Sequence, residues 1–141
     1  MEPTLHYLLM SNYMNFQKCL LEQVRAFGLT PGQPKVLDYL KEHDGASQKE
    51  IAGACGIEAG SLTSVLNRMK EKHMIERRIL NGNRRTFHIF LTPFGTEMLQ
   101  KTTQAFAKLE EQAFEGFSEK DKEQFMKYFM KLSTNIKGAQ E

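Results

Sequence analysis

A chain of 141 residues, 40% hydrophobic and 26% charged, holds enough apolar material for one folded core and is short for two independent domains. Its net charge of +2 excludes a uniformly basic or acidic protein, but the charge is uneven: Arg68, Lys70, Lys72, Arg77, Arg78, Arg84 and Arg85 stand against Glu71 and Glu76, a local +5 that leaves −3 elsewhere. Two cysteines without CxxC or Cys/His spacing exclude a disulfide framework and a zinc knuckle, and the polar start at Glu2 and Pro3 argues against a signal peptide or spanning helix, so a cytoplasmic protein with no membrane partner is expected.

The first element is a long helix over residues 5–27, because Leu5, Leu8, Leu9, Tyr13, Phe16, Leu20, Val24 and Phe27 recur at helical spacing and Gly28 then offers a C-terminal stop. Thr30 and Pro31, with Gln33 at the capping-box position, predict a second helix from Pro31 to about Glu42, its first turn distorted by Pro34. Ser47-Gln48-Lys49-Glu50 is a full capping box for a short helix that Gly56 closes. The next helix, residues 58–73, buries Leu62, Val65, Leu66 and Met69 on one narrow face. Its opposite face is centred on Gly60, Ser64, Asn67 and Glu71, flanked by Ser61, Thr63 and Arg68.

Residues 75–80 and 85–91 read as strands joined through Asn81-Gly82-Asn83, since Asn-Gly supplies the positive φ that a tight hairpin turn requires. Thr92-Pro93 opens a helix carrying Met98, Leu99, Phe106, Leu109 and Phe114. Ser118 with Asp121 opens a last one, with Phe125, Tyr128, Phe129, Leu132 and Ile136 on one stripe and a frayed end from Gly138. The predicted fold is mainly α with a small β-hairpin wing (α+β), a single domain over 1–141. Residues 31–92 form a winged helix-turn-helix, and 5–28 and 94–137 form helices that pack together and across a two-fold axis as a homodimer interface. Six of the ten phenylalanines fall between Phe94 and Phe129, more apolar stripe than a small monomer core requires. The alternative for that stripe is a monomer core.

Double-stranded DNA is the partner this order implies. The major groove admits one helix and is read by donors and acceptors on its exposed face. On the helix over 58–73 those groups are Ser61, Thr63, Ser64, Asn67 and Arg68, with Gly60 on the same DNA-binding face. Ser47 and Gln48, at the start of the preceding helix, are placed to hold a phosphate through backbone N–H groups; Ser47 is equally a plain helix cap. Asn83, Arg84 and Arg85 combine a narrow turn with two cations, suited to the minor groove, against the simpler reading of a solvated loop.

The runs Ser47-Gln48-Lys49-Glu50-Ile51-Ala52, Gly60-Ser61-Leu62-Thr63-Ser64-Val65-Leu66-Asn67-Arg68-Met69, Ile75-Glu76-Arg77-Arg78 and Asn83-Arg84-Arg85 through Leu91-Thr92-Pro93-Phe94-Gly95 resemble the signature of the MarR family of bacterial transcription regulators. The resemblance implies a winged-helix homodimer that represses from a pseudo-palindromic operator and is released by a small-molecule effector or by oxidation. It places Ser61, Thr63, Ser64 and Arg68 against DNA and Arg85 in the minor groove. Asn83 stands where the family usually has an aspartate that orients the wing arginine. It also implies an effector pocket between the dimerisation helices and the winged helix, for which Tyr13, Met14, Phe16 and Tyr39 are candidates, core packing being their other reading.

The family's peroxide sensors carry a cysteine near the start of the first helix, where this chain reads Leu5-His6-Tyr7-Leu8. Cys19 and Cys55 are each read as small buried apolar residues, with a redox-sensing thiol the alternative for either. His6, His43, His73 and His88 lack ligand spacing, so no metal or other cofactor is expected. Nucleophile-base pairs and phosphate-binding glycine loops are missing from the motifs, which excludes an enzyme from the expectation. The competing reading is a winged-helix protein-protein interaction module without specific DNA binding; Arg84, Arg85, Ser64 and Asn67 count against it, since protein-binding faces favour aromatic anchors.

Overall fold

The structure, a computed structural model, describes residues 1–80, 82 and 86–140. In chain order it contains α1 (Leu5–Val24), a 3-10 turn (Arg25–Phe27), α2 (Gln33–Leu40), β1 (Ala46–Ser47), α3 (Gln48–Cys55), α4 (Ala59–Glu71), β2 (Ile75–Ile79), β3 (Phe87–Leu91), α5 (Pro93–Ala113) and α6 (Glu119–Gly138). This is a winged helix: helices packed on a small antiparallel sheet of order β1-β3-β2. The chain divides into two compact units, Met1–Leu109 and Glu110–Glu141.

In the first unit, Thr4 caps α1 by accepting the Tyr7 N–H, and the 3-10 turn ends on Gly28 at φ 82, where the missing Cβ removes the penalty of the left-handed region. Only the C-terminal end of the apolar stripe enters the core: Leu20 and Val24 are fully buried, whereas Leu5, Tyr7, Leu8, Met10, Tyr13 and Met14 are exposed. The second helix starts later than its sequence predicts. Gly32, at φ 89, is the N-cap, and Pro34 is the first-turn proline, where its absent N–H has no intrahelical partner to lose. Half of the expected capping box survives, since Gln33 Oε1 accepts the Thr30 N–H at 3.1 Å.

The two-residue strand β1 has no signature in the sequence. It exists because β3 pairs with it, Ala46 opposite Ile89 and Ser47 opposite His88, while β2 pairs on the other edge with Arg77 opposite Ile89. Asp44 reinforces the join by accepting the Leu91 N–H at 2.8 Å through Oδ1. The sheet thereby ties the hairpin to the start of α3. Beneath it lies the core, with Leu37, Leu40, Ile51, Leu62, Leu66, Met69, Met74 and Ile89 all at most 1% exposed.

At the end of α4 the Met74 N–H bonds the Met69 carbonyl and the His73 N–H bonds the Lys70 carbonyl, both at 2.9 Å, the pattern of a Schellman turn. Its left-handed position is occupied by His73 at φ 63 rather than by glycine. The backbone penalty of an L-residue there is about 1–2 kcal/mol. His73→Gly is therefore expected to raise stability by about 1 kcal/mol, read as a higher urea midpoint at unchanged m-value; an unchanged midpoint would show that the imidazole offsets its own strain.

Thr92 fastens the start of α5. Its hydroxyl donates to the His73 carbonyl at 2.6 Å and accepts the Gly95 N–H at 2.9 Å, and its own N–H donates to the Met74 carbonyl at 3.1 Å. Gly95 lies directly against that carbonyl, and a Cβ built on it would overlap the Met74 oxygen.

In the second unit, Ser118 and Asp121 close a reciprocal capping box on α6. The rings of Phe114, Phe117, Phe125 and Phe129 form an aromatic row, with Phe114 edge-on to Phe117 at 5.4 Å and Phe125 stacked on Phe129 at 5.5 Å. The predicted apolar stripe of α6 is present, yet none of its described residues is buried: Phe125, Tyr128, Phe129 and Ile136 are all exposed.

Candidate nucleic-acid interface

The period of α4 separates two faces. Leu62, Leu66 and Met69 are buried, and Gly60, Ser61, Thr63, Ser64, Asn67 and Arg68 are exposed together on the other side. The Thr63 hydroxyl donates to the Ala59 carbonyl at 3.0 Å, which leaves its oxygen to act as an acceptor. Arg68 and Lys70 place positive charge in the last turn, where the helix dipole also favours it.

Asn67 is not free. Its Oδ1 accepts a 2.6 Å hydrogen bond from Nη2 of Arg77, which reaches across from β2. The Arg77 guanidinium lies 6.0 Å from the Phe87 ring centroid, and its buried Nε has no hydrogen-bond partner among the described residues. Arg78 is tied differently, pairing with Glu76 at 2.9 Å and lying 4.3 Å from the Phe90 ring. Lys72, next along from α4, donates from Nζ to the Gly28 carbonyl at 2.6 Å and so anchors the helix end to the corner after α1. In the sequence, Lys72 reads only as charge and Arg77 as charge and part of the Ile75-Arg78 run, with no partner for either. Pairings across 10 and 44 residues leave no local pattern to read.

Ser47 is 8% exposed and caps α3 fully: its Oγ accepts the Glu50 N–H and Glu50 Oε1 accepts the Ser47 N–H, each at 3.2 Å. Hydrogen bonding from the Ser47 side chain, and then from its backbone, holds the Glu50 carboxyl below its usual range. The box is thus closed above the ordinary carboxylate pKa and opens as pH falls through the lowered value. An exposed carboxylate at Glu50 stands beside the place read as a phosphate site, and the Ser47 side chain is committed to Glu50. Gln48, the first residue of α3, is half-buried.

Asn83, Arg84 and Arg85 lie outside the described residues. Asn81 of the predicted turn does too; Gly82, just before Asn83, is exposed at φ 73, the positive angle read from Asn-Gly.

The four residues read as an effector pocket separate into different settings. Tyr13 is exposed and its hydroxyl accepts from Lys35 Nζ at 2.7 Å; Met14 is exposed. Phe16 stacks on Phe106 at 6.2 Å, and Tyr39 stacks on His43 at 4.2 Å. Neither cysteine is fully buried as expected. Cys19 is exposed on α1, and Cys55 is half-buried with Sγ donating to the Lys35 carbonyl at 3.6 Å. Burial pushes the Cys55 thiol pKa up, which disfavours the reactive thiolate. Among the described residues there is no group of three or more His, Cys, Asp or Glu suited to a metal ion, and no helix long and apolar enough to cross a membrane.

The MarR family model matches residues 29–87, which run from just before α2 to the start of β3. The HTH-type transcriptional regulator YwoH of Bacillus subtilis is 30% identical over 108 residues, 77% of this chain and 78% of that protein. A protein of Thauera aromatica assigned to regulation of the hcr operon is 32% identical over 78 residues, 55% of this chain and about half, 47%, of its own length. Among solved structures, the Staphylococcus aureus MepR–DNA complex aligns with TM-score 0.84 at 25% identity, covering 96% of this chain and 99% of MepR. Fold, helix order and these likenesses converge: the chain belongs to the MarR family of transcription regulators, not enzymes.

Proposed function

We propose that this chain, acting as one regulatory domain over 1–141, is a homodimeric repressor that binds a pseudo-palindromic DNA operator. The observation that carries the reading is the exposed polar face of α4, with Ser61, Thr63, Ser64, Asn67 and Arg68 set over a buried Leu62-Leu66-Met69 stripe. That face enters the major groove, with Gly60 at its leading end. Ser47 and Gln48 meet the flanking phosphate, and Asn83, Arg84 and Arg85 meet the adjacent minor groove. A DNA complex is known for MepR, to which this chain is similar over nearly its whole length.

Self-association is supported by apolar exposure that a lone chain would leave in water. The faces are those of Leu5, Leu8 and Met10 on α1 and of Phe125, Met126, Phe129 and Ile136 on α6. A closed two-fold pair covers them and presents two α4 helices to two half-sites. Release by a small molecule belongs to the same reading, with Tyr13, Met14, Phe16 and Tyr39 as the contact set. Its support is the Lys35–Tyr13 hydrogen bond, through which a ligand at Tyr13 would reach α2.

The test is a fluorescence-anisotropy titration against duplex DNA from upstream of the protein's own gene, at two salt concentrations, with unrelated duplex as competitor. Binding that survives competitor and falls with salt, by about 0.9 log unit per log unit for each phosphate neutralised, is the expected result. Absence of binding at low salt, with dimerisation retained, would transfer the winged helix to a protein partner.

A further inference from the structure

We propose that Arg77 is a specificity-determining residue that acts through Asn67, committing its amide to donate and thereby selecting guanine over adenine at the base pair Asn67 faces. The inference rests on α4 entering the major groove and adds a base preference to that reading. A guanidinium carries donors and no acceptor, so the Asn67 atom 2.6 Å from Arg77 Nη2 must be the carbonyl oxygen, and the orientation of the amide follows from chemistry alone. The amide atom left without a partner among the described residues is then Nδ2, a pure donor.

An unconstrained asparagine pairs with adenine in both directions, donating to N7 and accepting from the N6 amino group. With Oδ1 held by Arg77, one of its two lone pairs is taken and the amide's angle is set by that bond, so the second of those bonds is weakened. Guanine offers two acceptors, O6 and N7, to the same amino group, and thymine offers O4 alone. The hold is durable because the bond is charge-assisted and short. Arg77 is also fixed from its own side: it is half-buried in β2, opposite Ile89, with the Phe87 ring beside it. Asn67 lies one turn after Ser64 near the centre of the exposed face of α4, directed at base edges rather than at the rim, where phosphates lie.

Selection of bound sequences from a randomised duplex, run in parallel for the wild type and three variants, tests this. The wild type should enrich one guanine per half-site that Asn67→Ala no longer distinguishes, which maps the Asn67 position. At that position Arg77→Met, which keeps the aliphatic stem, should move the preference about tenfold toward adenine. Arg77→Lys keeps a cationic donor for Asn67 Oδ1, so it should hold the guanine preference while remaining folded, and a shift toward adenine in it would count against the proposal should Arg77→Met fail to fold. Enrichment with an unchanged base at that position in Arg77→Met, or a uniform loss across all sequences with a salt slope reduced by about one, would overturn the proposal and leave Arg77 a structural tie or a phosphate contact. No enrichment by the wild type would overturn the DNA reading itself.

Discussion

Gly95→Ala is expected to cost about 3 kcal/mol or more, a large share of the ~5–15 kcal/mol that holds a domain of this size together. The added methyl has no vacant space to take: it would overlap the Met74 carbonyl oxygen, with a Leu91 methyl 3.3 Å away. Relief requires α5 to lift from the end of α4. Lifting it stretches the Thr92 hydrogen bonds to the His73 and Met74 carbonyls, which fasten the start of α5 to the end of α4. Urea unfolding followed by circular dichroism measures the effect. Gly53→Ala is the matched control, because Gly53 is exposed within α3 and has nothing within 4 Å of the added carbon, so it should gain about 0.5–1 kcal/mol from helix propensity. A loss at Gly95 below about 1 kcal/mol would show that the helix start shifts freely.

Ser64→Glu should weaken operator binding about 100-fold, near 2.7 kcal/mol, with little change in stability. Ser64 is exposed in the interior of α4, where glutamate is at least as good a helix former, so the fold has no reason to suffer. The cost falls on the complex: a carboxylate carried into a groove walled by phosphates meets like charge, and such juxtapositions cost several kcal/mol. Gln104→Glu, an identical charge change on exposed α5, separates the local effect from net charge. Equal losses for the two variants in anisotropy titrations would remove Ser64, and with it the central part of α4, from the DNA interface.

Local chemistry carried most of the helix boundaries. Ser47 with Glu50 and Ser118 with Asp121 each need three residues and a turn of backbone, and both capping boxes form as read. Where two local signals competed, the nearer one lost. Thr30-Pro31 looked the better helix start, but Gly32 takes a left-handed φ beside α4, where an added Cβ would come within 3.0 Å of a Val65 methyl, and the chain turns there so that Pro34 opens α2. Packing against α4 decided that boundary.

Cysteine burial followed the same division. A small apolar side chain reads as core, yet Cys19 falls on the exposed side of α1, because the core takes only the stripe ending in Leu20 and Val24. Likewise, α6 carries the predicted apolar stripe, but a stripe states only that something should cover it, and no described residue of α6 is buried in the single chain.

By itself the sequence determined the helices, the hairpin, the buried stripe of α4 and the row of polar groups opposite it, because hydrophobic period, caps and turn residues act within a few positions. Tertiary structure alone decided that β1 exists, that Gly95 must lack a side chain, and that Arg77 holds Asn67 by its oxygen. Each depends on groups brought together across the fold, and no local period or spacing encodes a hydrogen bond whose two ends lie on different elements.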